Sequence, residues 1–147
     1  MSYKSILTAA LIFLTCSGSR TVNADLALSM TPNAASYNIG DTGFIDVLIS
    51  SNSADALDSY LYGLNITGGT GVVFSDPQSE AFLSDGNYVF FGRSSNVNIP
   101  LPATAVSGGG STISVGDVSY DPASLPFPGD PLPFVLPGAG LPALLAR

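Results

Sequence analysis

The residues that could do chemistry are few in this sequence, and most of them are carboxylates. Histidine is absent from the 147 residues, and Cys16 is the single cysteine. A Ser-His-Asp or Cys-His arrangement is therefore impossible, as is a histidine-ligated zinc or copper site. A pair of carboxylates could still hydrolyse a glycosidic bond. Because Asp76 and Asp85 occupy ordinary turn positions, before proline and before glycine, we expect no enzymatic activity.

Asp76, Glu80 and Asp85 are the carboxylates that best suit a structural calcium ion. Calcium is bound by many oxygen ligands, and loops rich in Asp, Asn and backbone carbonyls supply them. Asp117 and Asp121 form a second candidate group further along the chain. Neither group has the fixed spacing of an EF-hand loop, so solvated turn residues are the competing interpretation.

An aromatic pair, Tyr60 and Tyr62, is the candidate ligand-binding feature. The two residues lie two positions apart, so a strand would place both rings on one face. An exposed pair could stack on a sugar ring, whereas a buried pair would fill the core, where large aromatic side chains dominate burial. The spacing therefore predicts either a carbohydrate-binding platform or core packing.

The acidic balance of the chain limits its partners. After residue 24 only Arg93 and Arg147 oppose eleven acidic residues, which gives a net charge of −9 (2 minus 11). Such a chain repels phosphate backbones and anionic membrane surfaces, so we expect no nucleic-acid partner. The acidic surface suits cations, basic partners or simply solubility, and the expected partner is an extracellular protein or a polysaccharide.

Residues 1–24 contain, in order, the three parts of a secretory signal peptide. Lys4 supplies a positive start, residues 6–15 form an apolar run too short to span a bilayer, and Ala24 ends a small-residue cleavage site. Cys16 raises the alternative of a lipid-anchored N-terminus. We expect a secreted or cell-surface protein whose mature chain begins at Asp25 and contains neither a disulfide nor a membrane-spanning segment.

Residues 25–121 alternate as strands that bury one face. Ile45, Val47 and Ile49 share a face that we expect to lie in the core, and residues 59–67 and 112–121 repeat the alternation. Strands spaced about ten residues apart predict an all-β fold, an antiparallel sandwich of jelly-roll type.

Two shorter signals refine the strand pattern. Asp85-Gly86 favours a hairpin turn leading into an aromatic strand over residues 87–92. Pro100 and Pro102 confine any strand near them to the edge of a sheet, because proline cannot donate to a ladder.

The composition changes after Asp121. Residues 122–147 hold seven of the eleven prolines. Prolines at this density oppose both helix and ladder. We therefore expect residues 122–147 to be an irregular, poorly ordered tail outside the sandwich.

The stretch "NIGDTGFIDVLISSNSADALDSYLYGLNI", residues 38–66, resembles the start of a cohesin-like domain. It has a Gly-Asp turn, an alternating β-branched strand, a short polar loop and a strand with an aromatic-apolar face. Asn65-Ile66-Thr67 departs from the family, in which this strand ends near Tyr-Asp. The resemblance implies a jelly-roll domain of an exported bacterial protein, truncated where the proline-rich tail replaces the last strands.

The end of the chain, "DPLPFVLPGAGLPALLAR", is similar to a sorting signal of the PEP-CTERM type, with its prolines, apolar residues and final Arg147. It lacks the glutamate of that signal, and Pro137 and Pro142 would break a spanning helix. The expected function is a non-catalytic extracellular interaction or scaffold module. The alternative is a small carbohydrate-binding or calcium-stabilised matrix protein.

Overall fold

The fold is seen in a computed structural model that describes residues 25–68, 71–98, 102–121 and 133–147. Over these ranges the chain forms antiparallel strands, and its helices are single turns. The all-β prediction is confirmed, whereas the sandwich arrangement stays a prediction. No helix in the described ranges is long and apolar enough to cross a membrane. The predicted signal peptide, residues 1–24, lies outside them.

Within the described ranges, eight strands form two three-stranded sheets and one strand pair, and every ladder between them is antiparallel. The strand orders are β1–β2–β8, β4–β6–β5 and β3–β7. The strands are β1 Leu26–Pro32, β2 Ile45–Ser51, β3 Ala56–Leu57, β4 Ser59–Asn65, β5 Thr104–Ser107, β6 Thr112–Val118, β7 Phe134–Val135 and β8 Ala143–Ala146. Single helical turns are α1 Ser95–Asn98 and the 3₁₀ turns Ala81–Ser84 and Gly108–Gly110.

Strand β2 has the register that its alternation predicts. Val47 and Ile49 are buried in the core, and Ile45 is half-buried. Ile45 pairs with Pro32, the last residue of β1, so it lies where the sheet ends and less of its side chain is covered. The prediction of a buried face is therefore confirmed for two of its three members.

Strands β5 and β6 form a hairpin closed by three glycines. Gly108, Gly109 and Gly110 have φ angles of 60°, 66° and 89°, which residues with a Cβ rarely adopt. Strand β5 ends the order β4–β6–β5, as predicted for a strand that follows two prolines.

The prediction of an aromatic strand over residues 87–92 is wrong. The chain makes successive turns there, with Phe91 N donating to Tyr88 O over 3.0 Å and Arg93 N donating to Phe90 O over 2.8 Å. Tyr88, Val89 and Phe90 are only 2%, 1% and 0% exposed. The turns satisfy the backbone N–H groups of Phe91 and Arg93, so this buried segment does not need a ladder partner along its length.

The prediction that nothing after Asp121 adds to the fold is also wrong for residues 133–147. Strand β7 pairs with β3, and β8 pairs with β2. Leu144 and Leu145 are buried in the same hydrophobic cluster as residues of both three-stranded sheets. The tail's prolines flank these short strands rather than interrupt them, so no ladder donor is lost within β7 or β8. Residues 122–132 lie outside the described ranges.

Candidate functional site

The predicted aromatic platform lies in the core. Tyr60 and Tyr62 on β4 are 6% and 4% exposed. The two ring centroids are 6.0 Å apart, and the Tyr60 ring also stacks on Phe90 at 5.7 Å. Neither ring offers an open face to a sugar, so these side chains act as core packing, the second of the two interpretations that their spacing allowed.

The hydroxyl groups of the core tyrosines form a buried polar chain. Tyr60 Oη donates to the carbonyl oxygen of Leu145 over 2.7 Å and lies 2.9 Å from Tyr88 Oη. Tyr88 Oη donates to Asp117 Oδ2 over 2.6 Å. These hydrogen bonds therefore connect β4, the turns at 85–93, β6 and β8 within the core.

Asp117 is the buried carboxylate that accepts the last hydrogen bond of this network, and 4% of its surface is exposed. Its Oδ1 atom accepts from Ser95 Oγ at 2.9 Å and from Val118 N at 2.7 Å. The sequence contains the signal for this position, because Ile113, Val115 and Asp117 share the inward face of β6. A carboxylate on a buried face needs donors around it, and the turns at 85–93 and α1 supply them.

Burial controls the ionisation of the core tyrosines. It raises the pKa of Tyr60, Tyr62 and Tyr88 well above the ordinary value, because the core disfavours a phenolate. For Tyr88 the neighbouring Tyr60 and the hydrogen bond to Asp117 raise the pKa further. Tyr62 differs in its hydrogen bonding, since its buried hydroxyl has no partner within the described part of the chain.

The three carboxylates proposed to bind calcium are not brought together. The described ranges contain no cluster of three Asp, Glu, His or Cys side chains that could hold a metal ion. Glu80 Oε1 accepts from both the backbone N and the Oγ1 of Thr104 at 3.0 Å, so it holds the start of β5. Asp85 Oδ1 accepts from Asn87 N at 2.9 Å, which closes a turn. Glu80 and Asp85 therefore have separate local roles, and Asp76 is not grouped with them in a metal cluster.

An uncharged surface covers one side of the β4–β6–β5 sheet. Its residues alternate along each strand with those that point into the core, and the strand registers set them side by side. We call it the outer face, formed by Ser59, Leu61, Gly63, Asn65, Ala105, Ser107, Thr112, Ser114, Gly116 and Val118. None of these ten residues is charged or aromatic, although the chain has eleven acidic residues; the carboxylate of Asp58 lies at the margin, where its Oδ1 accepts from Ser59 Oγ over 3.0 Å.

Leu61 is the main apolar side chain of the outer face, and 60% of it is exposed. A shallow groove of about 230 Å³ lies beside it and is lined mainly by apolar atoms. The floor of the groove includes Gly116, where an added Cβ would stand 3.1 Å from both Leu61 Cδ1 and the Tyr60 carbonyl oxygen. The Leu61 side chain thus lies close over Gly116, and any residue with a Cβ at 116 would crowd it.

The outer face has no sequence signature of a binding site, because it contains neither aromatic rings nor carboxylates. The sequence indicates this surface only through the outward-facing positions of the strands. In β6, Ser114 and Gly116 alternate with the buried residues Ile113, Val115 and Asp117. Small uncharged residues at successive outward positions predict a flat surface once the strand is recognised.

Comparisons with family models, with curated proteins and with solved structures find no match to this chain. The likeness to cohesin-like domains therefore rests on residues 38–66 as they stand in the sequence.

Proposed function

We propose that this protein is a non-catalytic interaction module that works outside the cell and binds another protein through the outer face. The observation that carries the proposal is the lack of charge on that face in a strongly acidic chain. Charged residues are depleted at the centres of protein interfaces, because burying an unpaired charge costs more than a contact returns.

The shape of the outer face supports the same proposal. Leu61 is exposed beside a groove, while Ser114 and Gly116 keep the neighbouring surface low. Interfaces gain most of their affinity from a few apolar or aromatic anchors seated in such pockets. A partner side chain placed in the groove would contact Leu61 and cover it from water.

Two features of the sequence support an extracellular site of action. Residues 1–24 have the pattern of a signal peptide, and residues 38–66 resemble the start of cohesin-like domains, which serve adhesion and scaffolding outside the cell. A carbohydrate ligand is less favoured, because sugar rings stack on exposed aromatic side chains and the outer face has none.

Site-specific photo-crosslinking tests the proposal. A benzophenone side chain at position 105, on the exposed edge of the outer face, would be activated in the presence of extracellular proteins from the source cells. We expect one crosslinked protein that is lost in Leu61→Arg and kept in Leu141→Arg. Leu141 is a matched control because it is 59% exposed, against 60% for Leu61, and lies outside the outer face.

The outcome that contradicts the proposal is equal capture by both variants, or no protein captured by the unsubstituted chain. Melting curves of both variants must match that of the parent chain, so that loss of capture reports on the surface rather than on folding. Retention of the chain on a polysaccharide column, unchanged in Leu61→Arg, would favour the carbohydrate-binding alternative.

A further inference from the structure

The first strand of the fold has one side without a partner among the described residues. Strand β1 ends the order β1–β2–β8 and pairs there with β2 alone. Asn33 N donates to Phe44 O over 3.0 Å, in the same register as the β1–β2 ladder. Because donors alternate along an antiparallel strand, the N–H and C=O groups of Leu26, Leu28 and Met30 point away from β2, toward the open edge.

This edge lacks the features that normally discourage pairing with another chain. Strand β1 holds seven residues without a charge, its register with β2 has no bulge, and its proline is the last residue. The outer edges of β5 and β8, at two of the other sheet ends, are occupied instead. Glu80 occupies the first donor of β5, and the backbone of Asn87 and Val89 binds Leu144 on the outer side of β8.

The apolar row of β1 is also incompletely covered. Leu26, Leu28 and Met30 pack against the core but remain half-buried, because no further strand lies beyond them in the described part of the fold. An additional strand along the edge would bury this row as well as satisfy the backbone groups.

We propose that β1 pairs with β1 of a second copy of this chain, as an antiparallel two-fold ladder in which Leu28 faces Leu28 of the second copy. In this register Leu26 of one copy faces Met30 of the other, and each outward N–H meets an outward carbonyl. Pro32, which has no N–H, lies beyond the end of the shared ladder. The apolar rows of the two copies then join on one face of a continuous sheet.

A second copy of this chain is the expected partner, because β1 is complementary to itself. A two-fold interface uses the same surface on both copies, so each strand must be able to serve as its own partner. The row Leu26, Leu28, Met30 meets this requirement, because its apolar members fall opposite apolar members and its donors opposite acceptors. This edge belongs to the β1–β2–β8 sheet and shares no residue with the outer face.

Positions 27 and 29 allow a test of both the dimer and its register. Ala27 and Ser29 are exposed on the side opposite the apolar row. In the proposed ladder, position 27 of one copy faces position 29 of the other. Ala27→Glu with Ser29→Glu places like charges face to face, whereas Ala27→Glu with Ser29→Lys places opposite charges face to face.

Sedimentation equilibrium of the full chain and the two variants provides the measurement. We expect the unsubstituted chain to form dimers, the Glu/Glu variant to dissociate about tenfold more readily, and the Glu/Lys variant to regain the dimer. A monomer at every concentration would overturn the proposal, and so would a dimer unaffected by the Glu/Glu change. Weakening in both variants would overturn the register, because a ladder shifted by one pair places either position 27 or position 29 opposite itself, where the two copies carry the same charge.

Discussion

The hydroxyl of Tyr60 donates a hydrogen bond of 2.7 Å to the carbonyl oxygen of Leu145, which is 85 residues away in the sequence. This bond joins β4, inside the segment that resembles a cohesin-like domain, to β8, inside the proline-rich end. Both partners are buried, Tyr60 at 6% and Leu145 at 1% exposure. The end of the chain is therefore part of the core that the central strands build.

Removing the residues after Asp121 is expected to abolish cooperative folding. An irregular tail would make this deletion harmless, but the four residues of β8 are all buried. Deleting even one of their side chains, in Leu145→Ala, should cost about 2–5 kcal/mol of unfolding free energy, because a buried leucine leaves a cavity. Thermal melts followed by circular dichroism would measure both changes. Leu141→Ala, at a position 59% exposed, is the control and should change the unfolding free energy by less than about 0.5 kcal/mol.

Removing the hydroxyl of Tyr60 should destabilise the protein, whereas removing that of Tyr62 should not. Tyr60→Phe leaves the Leu145 carbonyl without its donor and should cost about 1–3 kcal/mol. Tyr62→Phe removes a buried hydroxyl that has no partner in the described chain, so it should be neutral or stabilising. Urea unfolding of both variants gives the comparison. Equal destabilisation by the two changes would mean that the Tyr62 hydroxyl is hydrogen-bonded.

Alkaline conditions should unfold the protein through its core tyrosines. Burial raises the pKa of Tyr60, Tyr62 and Tyr88 above their ordinary value of 10.0, while the unfolded chain ionises near that value. Above pH 10 the unfolded state therefore binds fewer protons than the folded state, and the unfolding free energy falls as pH rises. The stabilisation is complete below pH 10 and is lost above it. Each tyrosine contributes a slope of up to about 1.4 kcal/mol per pH unit.

The loss of stability above pH 10 is simple to assign to tyrosine, because lysine and cysteine, which also ionise in this range, are nearly absent. Lys4 is the single lysine and Cys16 the single cysteine, and both precede residue 25. Unfolding monitored between pH 8 and 12 should coincide with the rise of tyrosinate absorbance, and Tyr88→Phe should reduce the slope. A pH-independent midpoint across this range would contradict the burial of the three hydroxyls.

Calcium is expected to leave the stability unchanged. Glu80 is already engaged with Thr104 and Asp85 with the turn at Asn87, and these two do not form a cluster with Asp76. A melting temperature that is the same in excess calcium and in excess EDTA would agree with this arrangement. A rise in calcium that is abolished in Glu80→Gln would restore the calcium-stabilised alternative.

Local sequence was sufficient to predict the class of the fold and its central strand. Val47 and Ile49 share one face because side chains at a period of two lie on the same side of an extended chain, and both are buried. The edge position of β5 was equally local, since Pro100 and Pro102 lie immediately before it. These properties depend on residues within a few positions of one another.

Tertiary structure decided what alternation alone left open. The spacing of Tyr60 and Tyr62 puts two rings on one face, but whether that face is covered depends on Phe90 and β8, which come from distant parts of the chain. The run Ala143–Ala146 is too short to have a detectable period, and it becomes a strand because β2 and the backbone at 87–89 supply its partners. Periodicity specifies which residues share a face, whereas the long-range contacts that close the core specify which face is buried and which stays exposed.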